Sequence, residues 1–249
     1  LALNYMDKEG VDQAFIIQNS VIGDCNEYIS EAVARYPKRF FASVQVDPFS
    51  KDAASTLEHY ASLSRPNVFK MEISEQYGWS GMHRDLRVFD SPGMSDLWDI
   101  ALKYKMAVMF DTGLIGTNGY QTEQFAKLAD AYPSLPIIIE HGCMCKNDFD
   151  TDSELRPQWD AMAELGRKEN IYMGLTAIVE TAGNMERAMW VLEHLLNIAG
   201  ERKIVWGSDI PGNMRFWTYN NMIEWAEKAP CLTERQKDLF LAQNMLDMF

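Results

Sequence analysis

Basic residues are in short supply. The 249 residues carry 23 lysines and arginines against 36 acidic side chains, a formal net charge of −13. Such a chain would be repelled by a phosphate backbone or an anionic membrane surface, so no nucleic-acid or membrane partner is expected, although a local positive pocket for a small anion is still allowed. Cysteine is scarce too. Four of them (Cys25, Cys143, Cys145, Cys231) cannot build a disulfide framework in a chain this long, which points to a reducing, cytoplasmic setting. No apolar run approaches the roughly 18 residues of a membrane span, and no secretory leader is visible. Nor does a Gly-rich dinucleotide turn follow any strand-like run, "NSVIGD" (19–24) being a poor match. Linkers and low-complexity tracts are absent, and one domain over 1–249 is expected. The chain opens "LALNYMDKEG" without an initiator Met and reads as one missing its start.

What is present is alternation. Short apolar runs at 13–20, 39–48, 67–74, 107–113, 135–142, 170–178 and 203–211 are each followed by a longer stretch with apolar residues at helical spacing. Strands that are apolar throughout, separated by amphipathic helices, predict a parallel sheet covered on both faces. The opening segment reads as a helix with no strand before it. Seven units and an orphan first helix add up to an α/β fold of the eight-fold βα (TIM-type) barrel class, its first strand upstream of residue 1. A doubly wound open sheet is the alternative.

Barrels of this kind build their sites at the C-terminal ends of the strands. Those ends carry Asn19, Asp47, Lys70 with Glu72, Asp111, His141, Thr176 and Asp209. "KMAVMFDTG", "LPIIIEHGC" and "KIVWGSDIPG" repeat one break, an apolar run releasing a polar residue. Two carboxylates and an imidazole in one cleft either bind a divalent metal or divide acid and base duties. Each also has a plain structural use: Asp111 as a turn cap, His141 bonded to a backbone carbonyl, Asp209 starting a turn before Pro211. Lys70 inside an apolar strand is costly unless its charge is satisfied. His83, Arg84 and Arg87 sit in a long polar connection (77–90) of the sort that covers barrel mouths; with Arg215 they are candidate contacts for an anionic substrate. Aromatic residues near the same strand ends (Tyr77, Trp79, Phe216, Trp217, Tyr219) suit a planar ligand or ordinary packing. "HGCMC" has no matching cysteine pair elsewhere, which argues against a structural zinc.

Several of these stretches resemble the amidohydrolase-related family, the branch that includes aminocarboxymuconate-semialdehyde decarboxylase, resorcylate decarboxylases and pyrone-dicarboxylate lactonase. "YMDKEGVDQAFI" (5–16), "YISEAVARYPKRFFASVQVDP" (28–48), "LWDIALKYKMAVMFDTG", "YPSLPIIIEHG" and "RKIVWGSDIP" (202–211) carry the likeness along essentially the whole chain. The resemblance implies a TIM-type barrel and a mononuclear divalent metal, most often zinc. It matches Asp209 to the family's eighth-strand metal-binding Asp and His141 to its sixth-strand catalytic His. Two departures stand out. The family's His-X-His pair would lie before residue 1, and at the fifth-strand His position this chain has Asp111. An Asp ligand gives a more oxygen-rich shell that also suits manganese. Without metal, Asp209 would act directly as a base on water.

The resemblance therefore implies a hydrolase that activates water against a lactone, amide or cyclic acid. Asp111 and Asp209 would hold the metal, His141 and Asp209 would be catalytic, and Lys70, Arg215 and His83 would contact a carboxylate-bearing small molecule. Two alternatives remain open: a metal-dependent decarboxylase of an aromatic or unsaturated acid, and a non-catalytic ligand-binding barrel. A homo-oligomer is a further expectation.

Overall fold

A computed structural model describes residues 1–63, 66–78, 93–145 and 147–249. Seven parallel strands lie side by side in chain order: β1 (Ala14–Ile16), β2 (Phe40–Val44), β3 (Pro66–Glu72), β4 (Ala107–Asp111), β5 (Ile137–Ile139), β6 (Ile171–Thr176) and β7 (Ile204–Gly207). Each falls within the apolar run that predicts it, except that β3 begins one residue earlier, at Pro66. Parallel neighbours need a crossover between them, and helices supply it. Helix α1 (Ala2–Glu9) precedes β1. Then come α2 (Asn26–Arg35), α3 (Ala53–Leu63), α4 (Met94–Lys103), α5 (Thr122–Ala131), α6 (Leu155–Glu164), α7 (Ile178–Ala182), α8 (Met185–Ala199) and, after β7, α9 (Tyr219–Glu227).

The helices are cut from the chain by local chemistry. In α4 the buried residues Met94, Leu97, Trp98 and Ala101 recur at three- and four-residue spacing, one stripe toward the sheet. In α8, Asn184 caps the start by accepting the Arg187 amide at 2.9 Å, and Gly200, at φ 83°, follows the last turn. These stripes cover the outer face of the sheet, where Phe69, Met71, Val108, Phe110, Ile137, Ile139, Ile171, Met173 and Leu175 join them in the main core. Burying a side chain of this size contributes about 1.5–3 kcal/mol.

The inner face is divided by height. Toward the N-terminal ends, Val68, Ala107, Met109, Ile138 and Val205 pack with Phe15, Tyr172, Met245 and Met248. The chain's last residues plug this end. Asn244 donates to the carbonyls of Glu201 and of Ile204 in β7, both at 2.7 Å, while the Phe249 ring lies 5.6 Å from Phe15 of β1. The six residues Asn244 to Phe249, compactly coiled, thus reach both edges of the sheet. A flat sheet would hold those edges about 29 Å apart at ~4.8 Å per strand, so the sheet is curled into most of a barrel. Among the described residues no pairing joins β7 to β1. No helix among them is long and apolar enough to cross a membrane.

Asn244 is 2 % exposed, and its side-chain amide donates to two backbone carbonyls, those of Glu201 and Ile204. Asn244→Ala is expected to destabilise the protein by about 1–3 kcal/mol. Urea unfolding checks this, and an unchanged midpoint would mean the plug does not tie the strand ends together.

Candidate active site

The register of the sheet puts charge where the apolar layer ends. Lys70 pairs with Met109 and Glu72 with Asp111, while Phe110 pairs with Ile139. One residue beyond, Glu140 stands level with Asp111, so β3, β4 and β5 each present a carboxylate to the same inner layer. Lys70, Glu72 and Glu140 are all at most 5 % exposed.

Asp111 answers the question its sequence raises by taking two partners. Its Oδ2 lies 3.3 Å from His141 Nε2, and its Oδ1 accepts the Gly113 amide at 3.2 Å. The other imidazole nitrogen, Nδ1, lies 3.0 Å from the Thr176 carbonyl oxygen and so must donate. Burial alone would disfavour the imidazolium, but the charge and hydrogen bond of Asp111, with Glu140 behind it, raise His141 to about 9. Burial would likewise raise Asp111; His141, Lys70 and the Gly113 amide outweigh it and hold the carboxyl well below the usual range. Glu72 is driven the other way. Burial and the Asp111 charge push it up to about 7, against Lys70 and a 2.6 Å hydrogen bond from Ser74 Oγ. Lys70 approaches Glu72 Oε2 at 3.9 Å, and burial is overcome by Glu72, Asp111, Glu140 and Asp209, so its ammonium is held charged.

His141 reaches Asp111 through an unusual backbone. Residues 141–144 all have positive φ, between 55° and 58°, a left-handed turn that costs non-glycine residues roughly 1–2 kcal/mol each. The surroundings fix it. Trp159 Nε1 donates to the Gly142 carbonyl and the Tyr120 hydroxyl to that of Cys143, each at 2.9 Å. A Cβ on Gly142 would come within 2.6 Å of Ile178 Cδ1. "HGCMC" is thus the strained turn that aims the histidine, and both cysteines are buried thiols pushed far up by burial.

Asp209 stands at the mouth, exposed, with φ 53°. Asn213 holds its loop by donating its amide to the Asp209 carbonyl at 3.0 Å and its Nδ2 to the Ser208 carbonyl at 3.1 Å. Among the described residues the Asp209 carboxylate has no hydrogen bond or ion pair. Its pKa lies above the ordinary value because neighbouring protein removes water, with His141 and Lys70 pulling the other way.

The structure therefore gathers Lys70, Asp111, His141 and Asp209. Arg215 turns outward, 3.4 Å from Glu180 and over the Phe216 ring at 4.7 Å. His83, Arg84, Arg87 and Trp79 lie outside the described residues. Asn19 and Asp47 cap turns, accepting the amides of Val21 and Phe49 at 3.1 and 2.9 Å. Glu140 is the residue that sequence reasoning passed over. The signal was there: like Asp111, it is a carboxylate closing an apolar strand, masked by the more conspicuous histidine after it.

Among the described residues no three of His, Cys, Asp and Glu converge closely enough to hold a metal ion. The donors show why. His141 donates from both nitrogens and has no lone pair to offer, both Asp111 oxygens are engaged, and the Lys70 ammonium already serves this layer as a cation. As arranged, Asp111, His141 and Asp209 do not fit a divalent ion.

The family model described as amidohydrolase matches residues 2–249. The chain belongs to the amidohydrolase family. No curated protein matches it. Among solved structures this amidohydrolase is similar to a probable 2-pyrone-4,6-dicarboxylic acid hydrolase from Acinetobacter baumannii with citric acid bound. That match has 14% identity, covers 99% of this chain and 86% of the other, and has a TM-score of 0.76. An amidohydrolase from Burkholderia multivorans with bound zinc matches at 13% identity, 99% and 86% coverage and a TM-score of 0.75. 5-Carboxyvanillate decarboxylase from Sphingomonas paucimobilis matches at 15% identity, 99% and 81% coverage and a TM-score of 0.64. At such identities the likeness establishes the shared fold.

The His141–Asp111 pair makes stability depend on pH. His141 is raised from 6.5 to about 9 in the folded chain, so its contribution is full below pH 6.5 and is lost as pH rises through about 9. His141→Gln removes the imidazolium paired with the half-buried Asp111, leaving only the more remote Lys70 to offset its charge, and is expected to cost about 3–5 kcal/mol at neutral pH. The gap between wild type and variant should narrow above pH 9 in urea titrations. A gap that is constant from pH 6 to 10 would show that His141 is uncharged in the folded protein.

Proposed function

We propose that this amidohydrolase is a hydrolase that activates water for attack on the carbonyl carbon of a carboxylate-bearing lactone, amide or cyclic acid. The observation that carries the reading is the Asp209 carboxylate: unpaired among the described residues, open to the mouth, and acting across from two cations, Lys70 and His141. A carboxylate whose pKa is raised is a better base near neutral pH. Asp209 takes a proton from water as the oxygen adds to the substrate carbonyl. Charge developing on the carbonyl oxygen is stabilised by the imidazolium of His141. When the ring C–O bond breaks, the leaving oxygen takes the proton back from Asp209, and a ring-opened acid is released. Lys70, buried and charged at the cleft floor, is the group that holds a substrate carboxylate.

The structural likeness to a 2-pyrone-4,6-dicarboxylic acid hydrolase supports this class of substrate. The likeness to a decarboxylase supports a second reading, in which an aromatic acid loses carbon dioxide and takes a proton at the ring carbon. The zinc-bound relative supports a divalent ion as the cofactor of either reaction, but no step above is routed through one, because the donors described do not fit it.

A panel of cyclic dicarboxylates and hydroxylated aromatic acids separates the readings by product, ring-opened acid against carbon dioxide. Asp209→Asn is expected to lower kcat by about 10²–10⁴. Lys70→Met should raise KM chiefly for substrates that carry a carboxylate. Elemental analysis of wild type and Asp111→Asn belongs beside it: one equivalent of zinc or manganese that is lost in the variant would replace the base-on-water step. Carbon dioxide as the product would replace the hydrolase.

A further inference from the structure

One buried donor beside the charged layer has nothing to bind. The Gln45 side chain, just past the end of β2, is 7 % exposed, and its Nε2 has no hydrogen-bond partner among the described residues. An unmet donor destabilises a fold, so its presence needs a reason.

The polar residues around it are engaged in holding its backbone. Asn26, the first residue of α2, clamps Gln45 from both sides: its Nδ2 donates to the Gln45 carbonyl at 2.7 Å, and its Oδ1 accepts the Gln45 amide at 3.0 Å. Gln18 secures the clamp. Its Nε2 donates to the same Asn26 Oδ1 at 2.6 Å, and its Oε1 accepts the Cys25 amide at 3.0 Å. Ser43 Oγ accepts the Gln18 amide at 3.3 Å and donates to the Ile16 carbonyl at 2.8 Å. Gln18, Asn26 and Ser43 are all buried. The network fixes where Gln45 stands and leaves its carboxamide as the loose end.

Strand alternation shows where that end points. Phe40, Ala42, Val44 and Val46 join the apolar cores beneath the outer helices. Phe41 instead stacks on Phe15 of the inner-face group, with ring centroids 4.7 Å apart. Ser43 and Gln45 therefore face inward with Phe41. Ser43 pairs with Val68 and Val44 with Phe69, so Gln45, the next residue along, stands beside Lys70 on the adjoining strand. Side chains directly opposite on one face have Cβ atoms about 4.5–5.5 Å apart. Lys70 is short of partners as well. It makes no hydrogen bond among the described residues, and its ion pair with Glu72 is long at 3.9 Å. Two neighbouring donors, one of them cationic, suit an anion with two oxygens.

We propose that Gln45 is a second substrate anchor, its carboxamide donating to one oxygen of a substrate carboxylate while the Lys70 ammonium holds the other, an assignment that rests on the hydrolase reading's use of Lys70. The ligand supplies the acceptor that the fold withholds. Binding therefore needs the amide, and folding does not.

Gln45→Met keeps the side-chain length and removes the donor. Isophthalate, a planar dicarboxylate with no bond to hydrolyse, and citrate are titrated by calorimetry into the full-length protein and this variant. The dissociation constant is expected to rise about tenfold or more, the loss of one hydrogen bond to a charged group. The urea midpoint of the ligand-free variant should equal or exceed that of wild type, because an unmet buried donor is gone. Gln45→Ala takes over the binding measurement if Gln45→Met does not fold. Unchanged affinity in a folded variant overturns the proposal, and so does a wild type that binds neither probe. A lower urea midpoint in Gln45→Met overturns it too, since the amide would then serve the fold. Binding that depends on Gln45, with no cyclic ester hydrolysed, upholds the anchor and sinks only the hydrolase reading. Hydrolysis of a carboxylate-bearing lactone with KM unchanged in Gln45→Met does the reverse.

Discussion

Three carboxylates at one level on three adjacent strands are the constraint from which the rest of this site follows. Neighbouring parallel strands lie ~4.8 Å apart, so Glu72, Asp111 and Glu140 cannot all be ionised in a buried layer without cations among them. The protein supplies Lys70 from below and His141 from above. Each resulting shift has its cause in that crowding: Asp111 keeps its charge beside the imidazolium, Glu72 is driven toward its neutral form, and His141 stays protonated to about 9. A carboxylate pair pushed in opposite directions by its surroundings is a mark of sites built for chemistry.

Holding that arrangement requires strain, and the packed wall absorbs it. The left-handed turn at 141–144 would be unfavourable by several kcal/mol in isolation. It persists because Trp159 and Tyr120 bind its carbonyls and Ile178 closes over Gly142. Trp159 in turn lies in an aromatic group with Phe149, Trp190 and His194. The helices on the outer face therefore stabilise the fold and also fix the position of one imidazole. Asp209 is held differently, by a short loop tied through Asn213, and it retains the solvent access that a base acting on water needs.

The architecture was legible because its signals are periodic and local. Seven apolar runs and the helices between them could be read one after another, since a parallel strand buried on both faces shows an unbroken apolar run. Asp111, His141 and Lys70 were legible for a related reason: a charged or polar group breaking such a run is conspicuous. Glu140 shares that pattern, yet its meaning depends on Gly174, 34 residues away. A Cβ there would lie 2.6–2.7 Å from the Glu140 carboxylate, but in sequence the glycine reads only as a weak spot in a strand. Arg215 shows the converse. Its closeness to Asp209 in the chain suggested a place at the mouth, but the short helical turn after Pro211 carries its guanidinium out to Glu180.

By itself the sequence determined the order and kind of the elements, the apolar character of the strands, and the side chains that leave their C-terminal ends. These are properties of neighbours along the chain, and periodicity expresses them directly. Only the tertiary structure decided which of those side chains meet. It paired Asp111 with His141, seated Glu140 over Gly174, and left Asp209 unpaired among the described residues. The reason is register: a shift of one residue between adjacent strands would turn each of these groups to the opposite face, and register is set by the packing of the whole sheet against its helices.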